Sequence, residues 1–126
     1  MIVGIGIDTV SVPEFATLRD GVFDSYIFSA AELAWSASRP DQNVSLAGIF
    51  AVKEAVAKAL GNLDVPKDAD MRDVEVGRHE NGAPCVVMTE RMQSILQQAG
   101  VGSVLVSITN EGDTASAIAL AQTEHI

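Results

Sequence analysis

The feature that most limits what this chain can fold into is the stretch from Val44 to Leu60, which contains no proline and only one glycine, Gly48. Alanine, leucine, valine, lysine and glutamate dominate it, residues that on balance favour helical backbone. Leu46, Ile49, Phe50, Val52, Val56 and Leu60 put apolar side chains on most faces of the predicted helix, which Gly61-Asn62 ends. A helix that is apolar nearly all round is a central, buried helix. Three charges, Lys53, Glu54 and Lys58, interrupt it. They read either as buried ions, which need partners, or as a solvated stripe in which Glu54 and Lys58 pair across one turn, worth about 0.3 to 0.5 kcal/mol; the spacing favours the stripe.

Residues 2 to 10, IVGIGIDTV, predict a buried strand. Alternation places Val3, Ile5 and Ile7 on one face and Gly4, Gly6 and Asp8 on the other. Two residues without side chains beside a carboxylate mean that something approaches the backbone closely, either a packed helix or a ligand; packing is the more economical reading. Ser11, Pro13 and Glu14 start a short helix that Gly21 is expected to end. Ser29 and Glu32 frame a second helix holding Trp35, which reads as core. Residues 63 to 73 form a polar loop. Asn81-Gly82 joins two short strands, around residues 74 to 77 and 84 to 88. A third helix spans about Thr89 to Gln98 and stops at Gly100. A final hairpin pairs residues 104 to 109 with 115 to 121; the alanines of its second arm favour helix, but its shortness and the tight polar turn before it predict strand.

The 126 residues are 48% hydrophobic and predict a single domain over 1–126 that folds without disulfides. Cys85 is the only cysteine and reads as a small buried hydrophobe; the composition predicts a reducing, cytoplasmic setting. A formal charge of −9 argues against nucleic acid and anionic membrane as partners, and no apolar run approaches the roughly 20 residues of a membrane span. Phosphate-loop, dinucleotide, zinc-protease and serine-hydrolase signatures are absent. His79 and His125 read as surface residues. What remains is carboxylates and lysines, of which Asp8 and Glu54 form a candidate pair for Mg²⁺, a cation held by one or two carboxylates plus substrate phosphates.

Gly4-Ile-Gly-Ile-Asp8, Phe28-Ser-Ala-Ala-Glu32, the run from Leu46 through Lys53-Glu54-Ala55 to Gly61, Asn81-Gly-Ala-Pro84 and Val106 to Ala115 occur in that order. Together they resemble the small, holo-acyl-carrier-protein synthase class of 4′-phosphopantetheinyl transferases over essentially the whole chain. The resemblance implies an α+β fold in which an antiparallel sheet wraps a long central helix, and a homotrimer binding coenzyme A between subunits. It implies transfer of phosphopantetheine from coenzyme A to a serine of an acyl carrier protein or carrier domain, in fatty acid biosynthesis. Asp8 and Glu54 then match the Mg²⁺ ligands, Lys58 the lysine that meets the coenzyme A phosphates, and Asn81, Gly82, Pro84, Thr109 and Asn110 the segments lining the nucleotide pocket. Three places depart from the family pattern: Ile49 stands where arginine is common, Asn110 where histidine is common, and Glu14 and Asp20 flank a lone Arg19 on a first helix that is basic in many members. Such a helix implies a less acidic carrier, such as one embedded in a large synthase. Two other readings remain: a small acidic carrier itself modified at Ser25 of Asp24-Ser25-Tyr26, and a nucleotide-binding homologue without turnover.

Overall fold

Close approach of a helix to a glycine-striped strand organises the computed structural model, which describes residues 1–123. Strand β1 (Ile2–Ser11) turns Gly4 and Gly6 toward the central helix α4 (Gln42–Leu60). A Cβ on Gly4 would overlap the carbonyl oxygen of Ala59, and one on Gly6 that of Ala55, so the bare face exists to seat a helix. On the far side of β1, Ile5 and Ile7 are about 65% exposed.

Ser11 caps α1 (Val12–Leu18), its Oγ accepting the Glu14 N–H at 3.3 Å. The expected stop at Gly21 is a correction: α1 ends at Leu18, and Asp20 opens a further helix, α2 (Gly21–Ile27), by accepting the Phe23 N–H at 2.8 Å. Gly21 is thus the first residue of a helix that the sequence reading missed. In α3 (Ala30–Ala37) the capping box closes as predicted, with Ser29 Oγ accepting from Glu32 N and Glu32 Oε1 from Ser29 N. Phe15, Phe23, Phe28 and Phe50 meet with ring centroids 5.4 to 6.4 Å apart and fix α1 and α2 against α4.

A 3-10 turn (Met71–Asp73) leads to the small hairpin of β2 (Val76–Arg78) and β3 (Pro84–Val86), turned at Gly82 with φ +89°. Then come α5 (Glu90–Ala99), capped by Thr89 and ended by left-handed Gly100, and the hairpin of β4 (Ser103–Glu111) with β5 (Thr114–Gln122). The main sheet is antiparallel in the order β1-β5-β4 and curls over α4. The alanines that make β5 look helical are its inward row: Ala115, Ala117, Ala119 and Ala121 are buried, and their small side chains let the sheet lie close on α4.

Candidate active site

Asp8 follows Gly4 and Gly6 on the same face of β1, and Glu54 of α4 borders the same cleft. Both border an open cleft of about 330 Å³ with Ser11, Glu14, Leu18 and Phe50. Burial raises the proton affinity of Glu54, and the Asp8 charge raises it further, against a smaller opposite pull from Lys58. Lys58 does not pair with Glu54 as the helical spacing suggests. Its Nζ crosses to β1, donating at 3.0 Å to Asp8 Oδ1 and at 3.0 Å to the Ile7 carbonyl. Asp8, Glu54 and Lys58 are therefore one cluster.

Lys53 corrects the solvated-stripe reading outright. It is 1% exposed, its Nζ lies 3.0 Å from Glu32 Oε1, and it donates to the Val74 carbonyl. Glu32 Oε2 in turn accepts the Val76 N–H at 2.7 Å. Burial pulls the Lys53 proton affinity down while Glu32 pulls it up, with a net lowering. This pair ties α3, α4 and the start of β2 together behind Glu54.

A second cleft, of about 510 Å³, lies beyond the other side of α4, where Val44, Ser45 and Gly48 face β4 and the small hairpin. It gathers Gly82, Pro84 and Asn110, three of the five residues matched to the nucleotide pocket. The other two are not in its wall: Asn81 is spent on the turn, its Oδ1 accepting the Ala83 N–H at 3.0 Å, and Thr109 is an exposed strand residue paired with Ser116. Trp35 also lines this cleft and is only half-buried, which corrects its assignment to the core; Arg39 and Arg78 lie over its ring. Cys85 is likewise half-buried rather than fully enclosed. His79 is exposed at the rim, and His125 lies outside the described residues. Ile49, where the family pattern has arginine, is 1% exposed and packed in the core.

The sequence pattern of the 4′-phosphopantetheinyl transferase superfamily matches residues 4–119. The chain belongs to that superfamily. Among its relatives, a holo-[acyl-carrier-protein] synthase of Caldicellulosiruptor saccharolyticus is 35% identical over 127 aligned residues, covering 98% of this chain and 99% of the relative. Fatty acid synthase subunit alpha of Aspergillus oryzae is 34% identical over 95% of this chain and 7% of its own length. A crystal structure of a holo-(acyl-carrier-protein) synthase from Bacillus anthracis str. Ames, in complex with CoA (3′,5′-ADP), superimposes with a TM-score of 0.79 at 26% identity, covering 98% of this chain and 99% of that one. The transferase fold excludes the carrier reading of Ser25: that residue lies on α2, its hydroxyl turned to the Val22 carbonyl, and the neighbouring Asp24 is held by Arg19 in a two-point ion pair. Among the described residues no group of three or more His, Cys, Asp or Glu side chains is placed to hold a metal; Asp8 and Glu54 are carboxylates that share the first cleft, with Lys58 at its edge. Two carboxylates on one cleft are the donor set that suits Mg²⁺, which keeps its remaining positions for water and phosphate oxygens.

Proposed function

We propose that the chain, acting as a single domain over 1–126, transfers 4′-phosphopantetheine from coenzyme A to a serine hydroxyl of an acyl carrier protein or carrier domain, releasing 3′,5′-ADP in fatty acid biosynthesis. The observation that carries this reading is the cluster of Asp8, Glu54 and Lys58 on one cleft of a phosphopantetheinyl transferase fold. Asp8 and Glu54 would hold Mg²⁺, and the metal would supply charge neutralisation on the coenzyme A pyrophosphate. Lys58 reaches the phosphates from the exposed end of the cluster and stabilises the leaving oxygen. The serine oxygen bonds to the β-phosphorus as the bond to the 3′,5′-ADP oxygen breaks, and a carboxylate of the pair, directly or through water, takes the serine proton.

The two clefts lie on different sides of α4, so one molecule of coenzyme A spans from Asp8 of one subunit to the Gly82–Pro84 wall of a neighbour. A homotrimer supplies that neighbour. The outer sheet face supports self-association: Ile5, Ile7, Leu105 and Ile118 are 37 to 65% exposed there, and Ile7 sits directly opposite Ile118. The carrier meets an acidic surface, since Arg19 is occupied by Asp24 and Asn43 and Lys53 is buried, so Glu14 and Asp20 set the local charge. A carrier domain of low negative charge suits it best. The enzyme works in the cytoplasm; among the described residues no helix is long and apolar enough to cross a membrane.

The deciding experiment measures 3′,5′-ADP release and the mass gain of a carrier with Mg²⁺ and coenzyme A. The wild type should modify the carrier, and Asp8→Ala and Glu54→Ala should each lower the rate by at least about a hundredfold. Undiminished transfer by either variant at saturating Mg²⁺ would remove that residue from the site, and no transfer by the wild type to any of several carriers would overturn the activity.

A further inference from the structure

The roles of Asp8 and Lys58 compete for one carboxylate. Asp8 Oδ1 accepts from Lys58 Nζ at 3.0 Å, yet the same side chain is the one matched to Mg²⁺. Asp8 is sheltered, its side chain 17% exposed, whereas that of Lys58 is 53% exposed and can swing into solvent. Charge accounts for the lysine's position. The wall of the first cleft carries Asp8, Glu14 and Glu54 and no lysine or arginine, so the Lys58 ammonium is the cation that offsets its negative charge. Glu54 feels both neighbours, Asp8 raising its proton affinity and Lys58 lowering it, so the three share one electrostatic environment. A second of the three ammonium donors goes to the Ile7 carbonyl at 3.0 Å, which fixes Nζ against β1. Mg²⁺ demands close, near-octahedral oxygen contacts, and an ammonium already 3.0 Å from the carboxylate is a like charge beside it.

We propose that Lys58 is a placeholder cation: before ligands bind it occupies Asp8 and keeps free Mg²⁺ off the Asp8–Glu54 pair, and it gives Asp8 up when a phosphate of coenzyme A accepts the ammonium. The inference rests on the proposed use of Mg²⁺ and coenzyme A, and it concerns the order in which that site fills. Metal and phosphates enter together because each relieves a cost the other meets alone. The metal by itself strands the ammonium beside a doubly charged ion, and the phosphates by themselves face Asp8, Glu14 and Glu54. The coupling is reciprocal, so coenzyme A tightens Mg²⁺ by the same factor by which Mg²⁺ tightens coenzyme A.

Calorimetric titration with Mg²⁺ alone, without coenzyme A, reads the placeholder apart from turnover. Lys58→Met should bind Mg²⁺ at least about 10-fold more tightly than the wild type. Lys58→Arg, which keeps the charge, should stay within about threefold of the wild type. Lys67→Met removes the same charge from an exposed position on a different cavity and should change the affinity by less than about twofold. Equal affinities of the wild type and Lys58→Met overturn the proposal, as does a gain by Lys67→Met that matches that of Lys58→Met, or a Lys58→Met chain that binds no Mg²⁺ alone. At saturating coenzyme A the advantage of Lys58→Met should vanish, and its persistence also overturns the proposal. Pulsed amine labelling read by mass spectrometry follows the lysine itself. Saturating Mg²⁺ without coenzyme A should raise labelling of Lys58 relative to Lys67, and unchanged labelling refutes displacement. Phosphopantetheine transfer enters none of these readouts: the expected affinities in a chain that modifies no carrier refute the proposed transfer and keep the placeholder, while transfer with equal affinities does the reverse.

Discussion

Glu54 stands in a position that favours its protonated form: burial first, and the Asp8 charge second, raise its proton affinity. Without metal, the folded chain therefore binds more protons at this site than the unfolded chain once pH passes the ordinary carboxylate range. Stability from this group is present at low pH and declines as pH rises toward the folded value. In chelator, Glu54→Gln should melt higher than the wild type near neutral pH, the difference closing below about pH 4, and calorimetric melts across that range check it. Mg²⁺ should raise the melting temperature of the wild type and not of the variant. The sequence shows why such a site is hard to read from spacing. Asp8 and Glu54 lie far apart in the chain, and only the ordered motifs, read as a family resemblance, bring them together. The partner of Lys58 is hidden for the same reason: a contact one helical turn away, to Glu54, is visible in sequence, whereas one to Asp8 of a strand crossing over the helix is not. Arg39, Arg78 and Trp35 carry no motif at all, and what unites them is the absence of acids around a shared wall.

The elements whose ends depend on hydrogen bonds within four residues were legible: Ser11 and α1, the Ser29–Glu32 box and α3, Thr89 and α5, Gly100, and the Asn81-Gly82 turn. α2 was not, because glycine reads as a stop even where Asp20 makes it a first helical residue. The Glu32 box was seen as a cap only, although its carboxylate also reaches across to α4 and β2. That double duty makes the Lys53–Glu32 pair a joint between elements. Lys53→Met leaves Glu32 charged and buried without its cation, and should cost about 3 to 5 kcal/mol in urea unfolding. Adding Glu32→Leu removes the stranded charge but leaves the Ser29 and Val76 N–H groups without their acceptor, so it should restore only part of the loss.

At the scale of the whole molecule, three copies would carry a formal −27, so association has to come from apolar contact. Ile7→Asp/Ile118→Asp places charge at the centre of the outer sheet face and should convert a trimer to monomers in sedimentation, with loss of transfer because the two clefts no longer meet. A wild type that sediments as a monomer at both low and moderate salt would refute the assembly. The sheet order has a different consequence, for the way the chain is made. Among the described strands β1 is made before the others, and its one partner in the sheet is β5, made after them. Until β5 has left the ribosome, both edges of β1 are unpaired, and the sheet that seats α4 lacks its middle strand. Folding of this domain is thus closed by β5, with the long-range pairing that slows a fold, and the exposed isoleucine row is the surface most open to wrong contacts during that wait.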